Sequence, residues 1–255
     1  MQRLDMLLVE RGLVQSRTHA QRLIKGGKVM IKQGGQWQPV NKPGLKLAPD
    51  VELQLEADEA DRFVSRGALK LAGALQRTGL DPTGMTALDI GQSTGGFSDC
   101  LLQAGVALVV GVEVGHDQLA ERLRQDPRVV CYEGVNGRDL PHQQLLEHTG
   151  DGRGYDLAVM DVSFISQTKI LPSLAPLLRP GGQLICLVKP QFEVGKAGIG
   201  RGGIVRDSSL YADVEQRIRD CYRQQGLRVK DYFESPIKGG DGNREFLIWA
   251  ERPAV

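Results

Sequence analysis

Two residues at the ends of apolar runs have side chains that could move a proton between reacting groups. Asp161 follows the apolar run 157–160, and Lys189 follows the apolar run 184–188. If these runs are neighbouring parallel strands, both side chains emerge at the same carboxyl edge of the sheet. A lysine can act as a base when burial and nearby charges depress its pKa, because an ammonium has no lone pair to accept a proton. A lysine at a strand end is also commonly a solvated tip, so these two residues alone leave both interpretations open.

A glycine-rich turn earlier in the chain suits the binding of a nucleotide. The run 86–90 breaks into the turn 91–96, and an apolar-periodic helix resumes at Phe97. Glycines permit positive φ and close ligand approach, and the first N–H groups of a helix lack intrahelical partners. The spacing G-x-x-x-G-G matches neither the dinucleotide fingerprint nor a P-loop. Glu113 ends the next apolar run roughly 20 residues on, where a ribose-binding carboxylate is expected. We interpret the segment as an S-adenosylmethionine site, unless the glycines serve only a tight turn. The candidate cofactor contacts are Asp89, Gly91, Ser93, Thr94, Gly95, Gly96, Phe97, Glu113 and Asp161.

Alternating strands and helices are needed to position these residues. Apolar runs predict strands over 86–90, 108–114, 129–133, 156–162, 184–190, 229–235 and 246–251, and helical periodicity predicts helices over 65–77, 97–104, 117–124, 166–178 and 208–225. Strands that alternate with helices indicate a parallel sheet. The order predicts an α/β domain over 64–255, with the seven strands of a Rossmann-like methyltransferase.

The N-terminal part differs in composition and charge. Residues 1–49 carry nine Lys and Arg against two acids, a net charge of +7, whereas 50–61 carry six acids and no base. Helices over 4–11 and 17–25 and strands over 28–31, 38–40 and 51–55 predict a small α+β domain over 1–55. The acidic segment then predicts a linker over 56–63. A surface of +7 fits a polyanionic partner, although a merely solvated basic surface is the alternative.

Composition excludes several classes of protein. With 255 residues, 41% hydrophobic and 25% charged, the chain is typical of a soluble globular protein of one or two domains. Its apolar runs fall far short of the ~18 residues of a membrane span, and no signal-peptide core precedes the first helix. Four scattered cysteines and four dispersed histidines indicate free thiols in a reducing compartment and no metal site. We therefore expect a cytoplasmic protein without a membrane partner.

The N-terminal pattern resembles the RNA-binding domain that is named after a small-subunit ribosomal protein, the "S-four" domain. The pattern L-D-x-x-L-V-E-x-G-L-x-x-S-R-x-x-A-x-x-L-I-x-x-G-x-V covers residues 4–29 of the match, which extends over residues 1 to about 55. In that family, a basic helix and the residues after it contact structured RNA. The resemblance implies RNA contacts at Arg17, Arg22, Lys25 and Lys28.

Motifs along the whole chain resemble the TlyA family of ribosomal RNA 2′-O-ribose methyltransferases, whose catalytic domain is FtsJ-like and some of whose members are labelled haemolysins. The resemblance implies S-adenosylmethionine as the cofactor and a catalytic tetrad of Lys70, Asp161, Lys189 and Glu245. Lys189 would be the base, oriented by Asp161 and Glu245, and Lys70 would support charge and place the ribose. Gln92 and Glu113 depart from the small residue and the aspartate that the family usually has. The motifs are the segments 64–71, 88–97, 161–166, 189–193, 203–207 and 242–247.

Two absences and one loop refine this expectation. The turn after the fourth strand reads Asp161-Val162-Ser163-Phe164, which is not the Pro-Pro-aromatic turn of amino-methyltransferases, and no Pro-Cys pair supplies the nucleophile of a base-carbon methyltransferase. The stretch 195–203 predicts either a mobile basic lid over RNA or a merely flexible loop. Further RNA contacts are expected at Arg66, Lys196 and Arg201.

The leading functional hypothesis is methyl transfer from S-adenosylmethionine to a ribose 2′-hydroxyl of ribosomal RNA, with a cytidine as the expected nucleotide. The expected partners are ribosomal RNA or ribosomal subunits, with no obligate protein partner. A non-catalytic RNA-binding assembly factor and a membrane-lytic haemolysin are the alternatives. A haemolysin would need an apolar span or a strongly amphipathic helix with a large apolar face, and the sequence shows neither.

Overall fold

A computed structural model of the protein describes residues 1–254, apart from the side chains of residues 59 and 60. The chain divides into two compact units, Met1–Arg62 and Phe63–Val255. The acidic segment that we expected to be a linker over 56–63 thus lies almost entirely in the first unit. The reason is a set of ion pairs within that unit, described below with the basic helix.

The N-terminal unit is a small α+β domain. Its strands β2, β3 and β5 form an antiparallel sheet in the order β3-β2-β5, and β1 pairs with β4. The elements are β1 (Gln2–Arg3), α1 (Leu4–Glu10), α2 (Arg17–Lys25), β2 (Val29–Gln33), β3 (Gln36–Val40), β4 (Lys46–Leu47) and β5 (Leu53–Leu55). Helix α2 begins where the sequence predicts, because Ser16 Oγ accepts a hydrogen bond from His19 N at 3.2 Å. Apolar residues at helical spacing, among them Leu4, Leu8 and Leu23, are buried and pack together.

The C-terminal unit is built on a seven-stranded sheet in the order β11-β12-β10-β9-β6-β7-β8. The strands are β6 (Thr86–Ile90), β7 (Leu108–Glu113), β8 (Val129–Glu133), β9 (Tyr155–Met160), β10 (Leu178–Val188), β11 (Arg228–Glu234) and β12 (Phe246–Glu251). Strands β8, β7, β6, β9 and β10 are parallel to one another, and β12 and β11 complete the sheet antiparallel. The predicted Rossmann-like α/β fold is confirmed.

Helices cover both faces of this sheet, and two of them differ from the predicted elements. The helices are α3 (Ala68–Thr78), α4 (Gly96–Gln103), α5 (Glu121–Arg124), α6 (His142–Leu146), α7 (Leu171–Leu174) and α8 (Leu210–Gln224). The helix predicted over 117–124 is only the four residues of α5, because Asp117 adopts a φ of 55° and Ala120 is extended. The helix predicted over 166–178 is broken into α7 and two 3-10 turns, since Pro172 and Pro176 lack the N–H that a continuous helix needs.

The topology brings four strand ends to one place. From β6 the chain continues to β7 on one side, while β9 pairs with β6 on the other. A crevice forms outside the carboxyl ends of parallel strands at such a switch point, and ligands bind there in open α/β sheets. The turn after β6 and the residues after β7, β9 and β10 all meet in this crevice.

Candidate active site

The glycine turn after β6 is held by close backbone contacts. Gly91 has a φ of 79°, and a Cβ atom there would lie 2.3 Å from the carbonyl oxygen of Asp161. Gly95 has a φ of 100°, and a Cβ there would lie 2.3 Å from Leu123 Cδ1. We expected Gly95 to let the cofactor approach the backbone. A side chain at Gly95 would therefore meet the leucine side chains of Leu119 and Leu123, and the predicted cofactor contact of Gly95 stays a prediction.

A cavity of about 540 Å³ opens beside this turn. Gly91, Ser93, Glu113 and Asp161 line it, as the sequence predicts for cofactor contacts. Its far wall is the segment 135–138, which follows β8 and which sequence reasoning missed. The sequence could have indicated this segment, because it follows the strand next to β7 at the carboxyl end of the sheet.

Glu113 both supports the turn and faces the cavity. Its Oε2 accepts a hydrogen bond from Ser93 N at 2.8 Å, and its Oε1 accepts one from Gly115 N at 2.9 Å. The side chain is 8% exposed. Each carboxylate oxygen keeps a second lone pair, so Glu113 can still accept from ribose hydroxyls despite the departure from aspartate.

A second, more polar cavity of about 180 Å³ shares Gly91, Ser93 and Asp161 with the first. Thr94, Gly96 and Phe97, three predicted cofactor contacts, line this second cavity together with Lys189. Gln92 also lines it, and the buried Gln92 Oε1 has no hydrogen-bond partner among the described residues. An unpaired buried acceptor is costly. The α-ammonium group of S-adenosylmethionine would supply the missing donor, so the residues present fit the cofactor.

Gln92 and Asp89 form a buried chain under the turn. Gln92 Nε2 donates to Ser98 Oγ at 2.8 Å, and Ser98 Oγ donates to Asp89 Oδ2 at 2.7 Å. A Cβ at Gly111 would lie 2.0 Å from the Gln92 amide, so the glycine in β7 makes room for this larger side chain. Asp89 is fully buried and lines neither cavity, whereas we expected it to contact the cofactor. Burial raises the pKa of Asp89 to about 7.

The four residues expected to form the catalytic tetrad are arranged as two ion pairs. Lys189 Nζ lies 2.6 Å from Asp161 Oδ1, and Lys70 Nζ lies 2.6 Å from Glu245 Oε2. Lys70, on α3, and Glu245, just before β12, are both buried. The predicted strand ends after β9 and β10 therefore do place Asp161 and Lys189 together.

The contacts within the tetrad differ from the expectation in one respect. Lys189 Nζ also donates to Ser163 Oγ at 2.9 Å, whereas Glu245 Oε1 accepts from Gln191 Nε2 at 3.0 Å. Among the described residues, Glu245 therefore supports Lys70 and does not orient Lys189 directly. Ser163 and Gln191 were missed as site residues, although each lies two residues from a predicted one.

A third cavity, of about 410 Å³, adjoins both ion pairs. Lys70, Lys189 and Glu245 line it, together with Phe164 and Phe192. The Phe164 side chain is 91% exposed, and its ring centroid lies 5.1 Å from that of Phe192. Its φ of 65° is unusual for a bulky residue. The Phe164 ring is exposed beside a polar site, and its backbone is held in an unfavourable conformation. Such an exposed ring offers a face on which a base can stack.

The predicted RNA contacts on α2 are mostly engaged in ion pairs within their own unit. Arg17 Nε lies 2.9 Å from the fully buried Asp5, which also pairs with Arg3 and accepts from Gln21. The Arg3 guanidinium, followed by the Gln21 and Arg17 side chains, holds the pKa of Asp5 well below its usual range. Lys25 has no ion pair among the described residues.

Carboxylates of the acidic segment pair with the two other predicted RNA contacts, Arg22 and Lys28. Arg22 pairs with Asp58 at 3.3 Å and also with Asp61, whose carboxylate lies 3.0 Å from His19 Nε2. Lys28 lies 3.4 Å from Glu56. Opposite charges thus hold Glu56, Asp58 and Asp61 against α2 and Lys28.

On the C-terminal unit, Arg66, Lys196 and Arg201 are all exposed. In the loop that carries Lys196 and Arg201, Ile199 and Val205 form an antiparallel bridge. The buried Asn243 accepts from Val205 N at 3.0 Å and donates to Gly203 O at 2.9 Å. Ile199 and Gly203 line the third cavity, so this loop forms part of its wall. Whether the loop is a lid over RNA stays a prediction.

Comparison with known proteins matches both units. The FtsJ-like methyltransferase family matches residues 63–252, and the S4 domain matches residues 2–53. The 16S/23S rRNA (cytidine-2′-O)-methyltransferase TlyA of Mycobacterium tuberculosis (strain ATCC 25618 / H37Rv) is 40% identical over 247 residues, which are 97% of this chain and 88% of that protein. The chain belongs to the TlyA family.

Other TlyA relatives agree over nearly the whole chain. YqxC of Bacillus subtilis, by name an rRNA methyltransferase, is 43% identical over 252 residues, which are 99% of this chain and 86% of that protein. The solved structure of a hemolysin from Streptococcus thermophilus is 42% identical with a TM-score of 0.74, covering 99% of this chain and 88% of that one. The TlyA-family chain described here is thus an enzyme that uses S-adenosylmethionine as its cofactor. Within residues 1–254, no helix has the length and apolar character that a membrane crossing requires.

Proposed function

We propose that this enzyme methylates a ribose 2′-hydroxyl of a cytidine in ribosomal RNA. The observation that carries the proposal is the Lys189–Asp161 ion pair, which lies in the wall of the cofactor cavities and next to the third cavity. Methylation of a hydroxyl requires its proton to be taken up as the oxygen attacks. A site with a lysine and a carboxylate at the border between cofactor and substrate cavities suits that reaction.

The first two cavities would hold the cofactor. Glu113 would accept from the ribose hydroxyls, and Gln92 Oε1 would accept from the α-ammonium group. When bound, S-adenosylmethionine supplies an electrophilic methyl group on its sulfonium. The residues of the turn fix the cofactor in a cleft, and such positioning can supply a large part of the rate enhancement.

Once its ammonium group has released a proton to solvent, Lys189 would accept the proton of the attacking hydroxyl, because only the neutral amine has a free lone pair. Asp161 at 2.6 Å would stabilise the ammonium ion that forms, and Ser163 at 2.9 Å fixes the direction of the amine. A positioned proton acceptor typically contributes about 10²–10⁴ in rate. Asp161 N donates to Ile90 O at 3.0 Å, which ties this pair to the central strand β6.

Lys70 and Glu245 would place the ribose. Their ion pair lies in the wall of the third cavity, where the ammonium can donate to a substrate oxygen and the carboxylate can accept from a hydroxyl. Gln191 holds the second carboxylate oxygen. Phe164 would stack on the target base, since its ring is exposed at the rim of the same cavity.

Ribosomal RNA is proposed as the substrate on two grounds. The TlyA relative carries the name of a 16S/23S rRNA (cytidine-2′-O)-methyltransferase, and the N-terminal unit is an S4 domain with a basic helix. Folded RNA is recognised largely through its shape and backbone, for which Arg17, Arg22, Lys25 and Lys28 provide cations. We propose Arg66, Lys196 and Arg201 as further backbone contacts. An enzyme that modifies ribosomes is expected in the cytoplasm.

Transfer of tritium from labelled cofactor to purified ribosomal subunits tests the proposal. Methylation of the 2′-hydroxyl blocks alkaline cleavage of the next phosphodiester bond, so the label should appear in alkali-resistant dinucleotides that contain cytidine. The matched control is Lys189→Ala, which should bind cofactor and transfer label about 10²–10⁴ times more slowly. Label in alkali-sensitive mononucleotides would assign methylation to a base, and no transfer to either subunit would refute an rRNA methyltransferase.

A further inference from the structure

A buried carboxylate that the proposed reaction does not use lies between the two loops that carry Asp161 and Lys189. Glu193 follows the 3-10 turn after β10, and its side chain is 8% exposed. Its Oε2 accepts from Ser166 Oγ at 2.6 Å, and its Oε1 accepts from Gln167 N at 3.1 Å. The carboxylate therefore ties the turn after Lys189 to the loop after Asp161.

The loop that Glu193 holds contains a residue in an unfavourable backbone conformation. Phe164 has a φ of 65°, in the left-handed region, which a bulky side chain keeps only where the surrounding structure over-determines it. At one end of the loop, Asp161 N donates to β6 at 3.0 Å. At the other end, the two hydrogen bonds to Glu193 provide the second anchor.

Glu193 is itself fixed to the helix α8. Arg217 Nη2 donates to the Glu193 carbonyl oxygen at 2.6 Å, and Tyr222 on the same helix donates to Gln167 Oε1 at 2.9 Å. Burial raises the pKa of Glu193 above its ordinary value, while the hydrogen bonds from Ser166 and Gln167 oppose the rise. Burying a carboxylate at this position costs free energy. Its contacts with Ser166 and Gln167 indicate that it serves to anchor the loop.

We propose that Glu193 is a positioning residue for methyl transfer, which fixes the loop 163–166 and thereby sets Ser163 against Lys189 and Phe164 at the rim of the third cavity. The inference rests on the proposed function, because it concerns the same site. Glu193 lines none of the three cavities, so it acts through the residues of the loop.

Three full-length variants test the role of Glu193. Glu193→Ala removes both loop contacts, whereas Glu193→Gln keeps an acceptor for Gln167 N and an amide that can donate to Ser166 Oγ. The control is Asp156→Ala near the amino end of β9, away from the loops at its carboxyl end. It loses a hydrogen bond from Thr86 N at 2.7 Å and an ion pair with Arg179 at 2.8 Å. Methyl transfer per folded molecule, cofactor affinity and hydrogen exchange of the amides 163–167 are measured for each.

We expect Glu193→Ala to lower kcat by about 10–100-fold, because small misplacements of reacting groups have effects of that size. Its cofactor Kd should stay within about twofold, its loop amides should exchange faster, and Glu193→Gln should restore most of the rate. The inference is overturned if Glu193→Ala matches Asp156→Ala in rate and loop exchange, or if Glu193→Gln is as inactive as alanine. Faster loop exchange in a protein whose wild type transfers no methyl group would refute the proposed function and leave the loop anchor standing.

Discussion

Asp89 allows a test of how a buried carboxyl group lowers stability at neutral pH. Its side chain is fully buried, Oδ2 accepts from Ser98, and Oδ1 has no partner among the described residues. Burial raises its pKa from the ordinary 3.8 to about 7, and the Ser98 hydrogen bond opposes that rise. Between these two values the folded protein keeps the proton on Asp89, whereas the unfolded chain releases it.

The sign of the pH dependence follows from proton linkage. Because the native state binds more protons than the unfolded state in this window, the free energy of unfolding falls as pH rises. The contribution of the carboxyl group is fully present below pH 3.8 and is lost once pH passes about 7. Each pH unit between the two pKa values corresponds to about 1.4 kcal/mol, so the complete loss amounts to about 4 kcal/mol.

Asp89→Asn removes this pH dependence, because an amide does not ionise. In urea unfolding between pH 5 and pH 8, the stability of the variant relative to wild type should rise by about 2–3 kcal/mol. Any constant cost of the new amide cancels in this comparison. Ser98→Ala removes a hydrogen bond that favours the ionised form, so its loss of stability should occur at higher pH than in wild type. Parallel pH curves for wild type and Asp89→Asn would show that Asp89 is ionised in the folded protein and would refute the reasoning.

Three further predictions concern catalysis, packing and RNA binding. Lys189→Ala and Asp161→Ala should each lower methyl transfer by about 10²–10⁴, because both residues act in the proton transfer. Cofactor affinity by calorimetry should change only a few-fold, since Gly91, Ser93 and Glu113 still line the first cavity. Gly95→Val should lower the melting temperature, since its side chain would overlap Leu123. Asp58→Asn combined with Asp61→Asn should strengthen binding to ribosomal subunits by roughly 2–10-fold, because exposed ion pairs of about 0.2–1 kcal/mol no longer compete for Arg22.

Matched variants and contrary outcomes sharpen these three predictions. Additive losses in the Lys189 and Asp161 double variant would mean that the two residues do not act as a unit. A wild-type melting temperature for Gly95→Val, together with lost cofactor binding, would support the ligand-approach role that we first expected. Glu52→Gln, which frees Lys32 on the small sheet, is the control for the acidic segment. RNA affinity that is unchanged or weaker in the double asparagine variant would mean that α2 does not bind phosphate through Arg22.

Local sequence patterns predict a strand correctly where residues next to it in the chain set its ends. The strands predicted over 86–90, 129–133 and 246–251 have these same bounds in the structure, because glycine, proline or charged residues border each apolar run. Strand β10 begins at Leu178 and not at 184, since Leu178 pairs with Tyr155 of β9 before a register shift. Such long-range pairing leaves no local signal.

From the sequence pattern alone, only those site residues that end a predicted strand could be placed together. Asp161 and Lys189 each end an apolar run, so their proximity follows from the fold. The pairing of Lys70 with Glu245 joins residues 175 positions apart, and neither ends a parallel strand. Only the family resemblance placed them in one site. The close approach of Leu123 to Gly95 likewise joins residues far apart in the chain, and no pattern around the turn contains it.

The charge of the N-terminal segment shows why counting residues is insufficient. The net charge of +7 predicts a polyanion surface, but Arg17 is bound to a fully buried aspartate and Arg22 to aspartates that are partly exposed. We expect RNA phosphates to replace Asp58 and Asp61 on Arg22, because those carboxylates regain full hydration when they leave. They cannot replace Asp5, whose release would leave a buried charge unpaired. We therefore expect Arg17 to offer phosphate a guanidinium of fixed orientation, and Arg22 to bind phosphate only where RNA displaces the acidic segment.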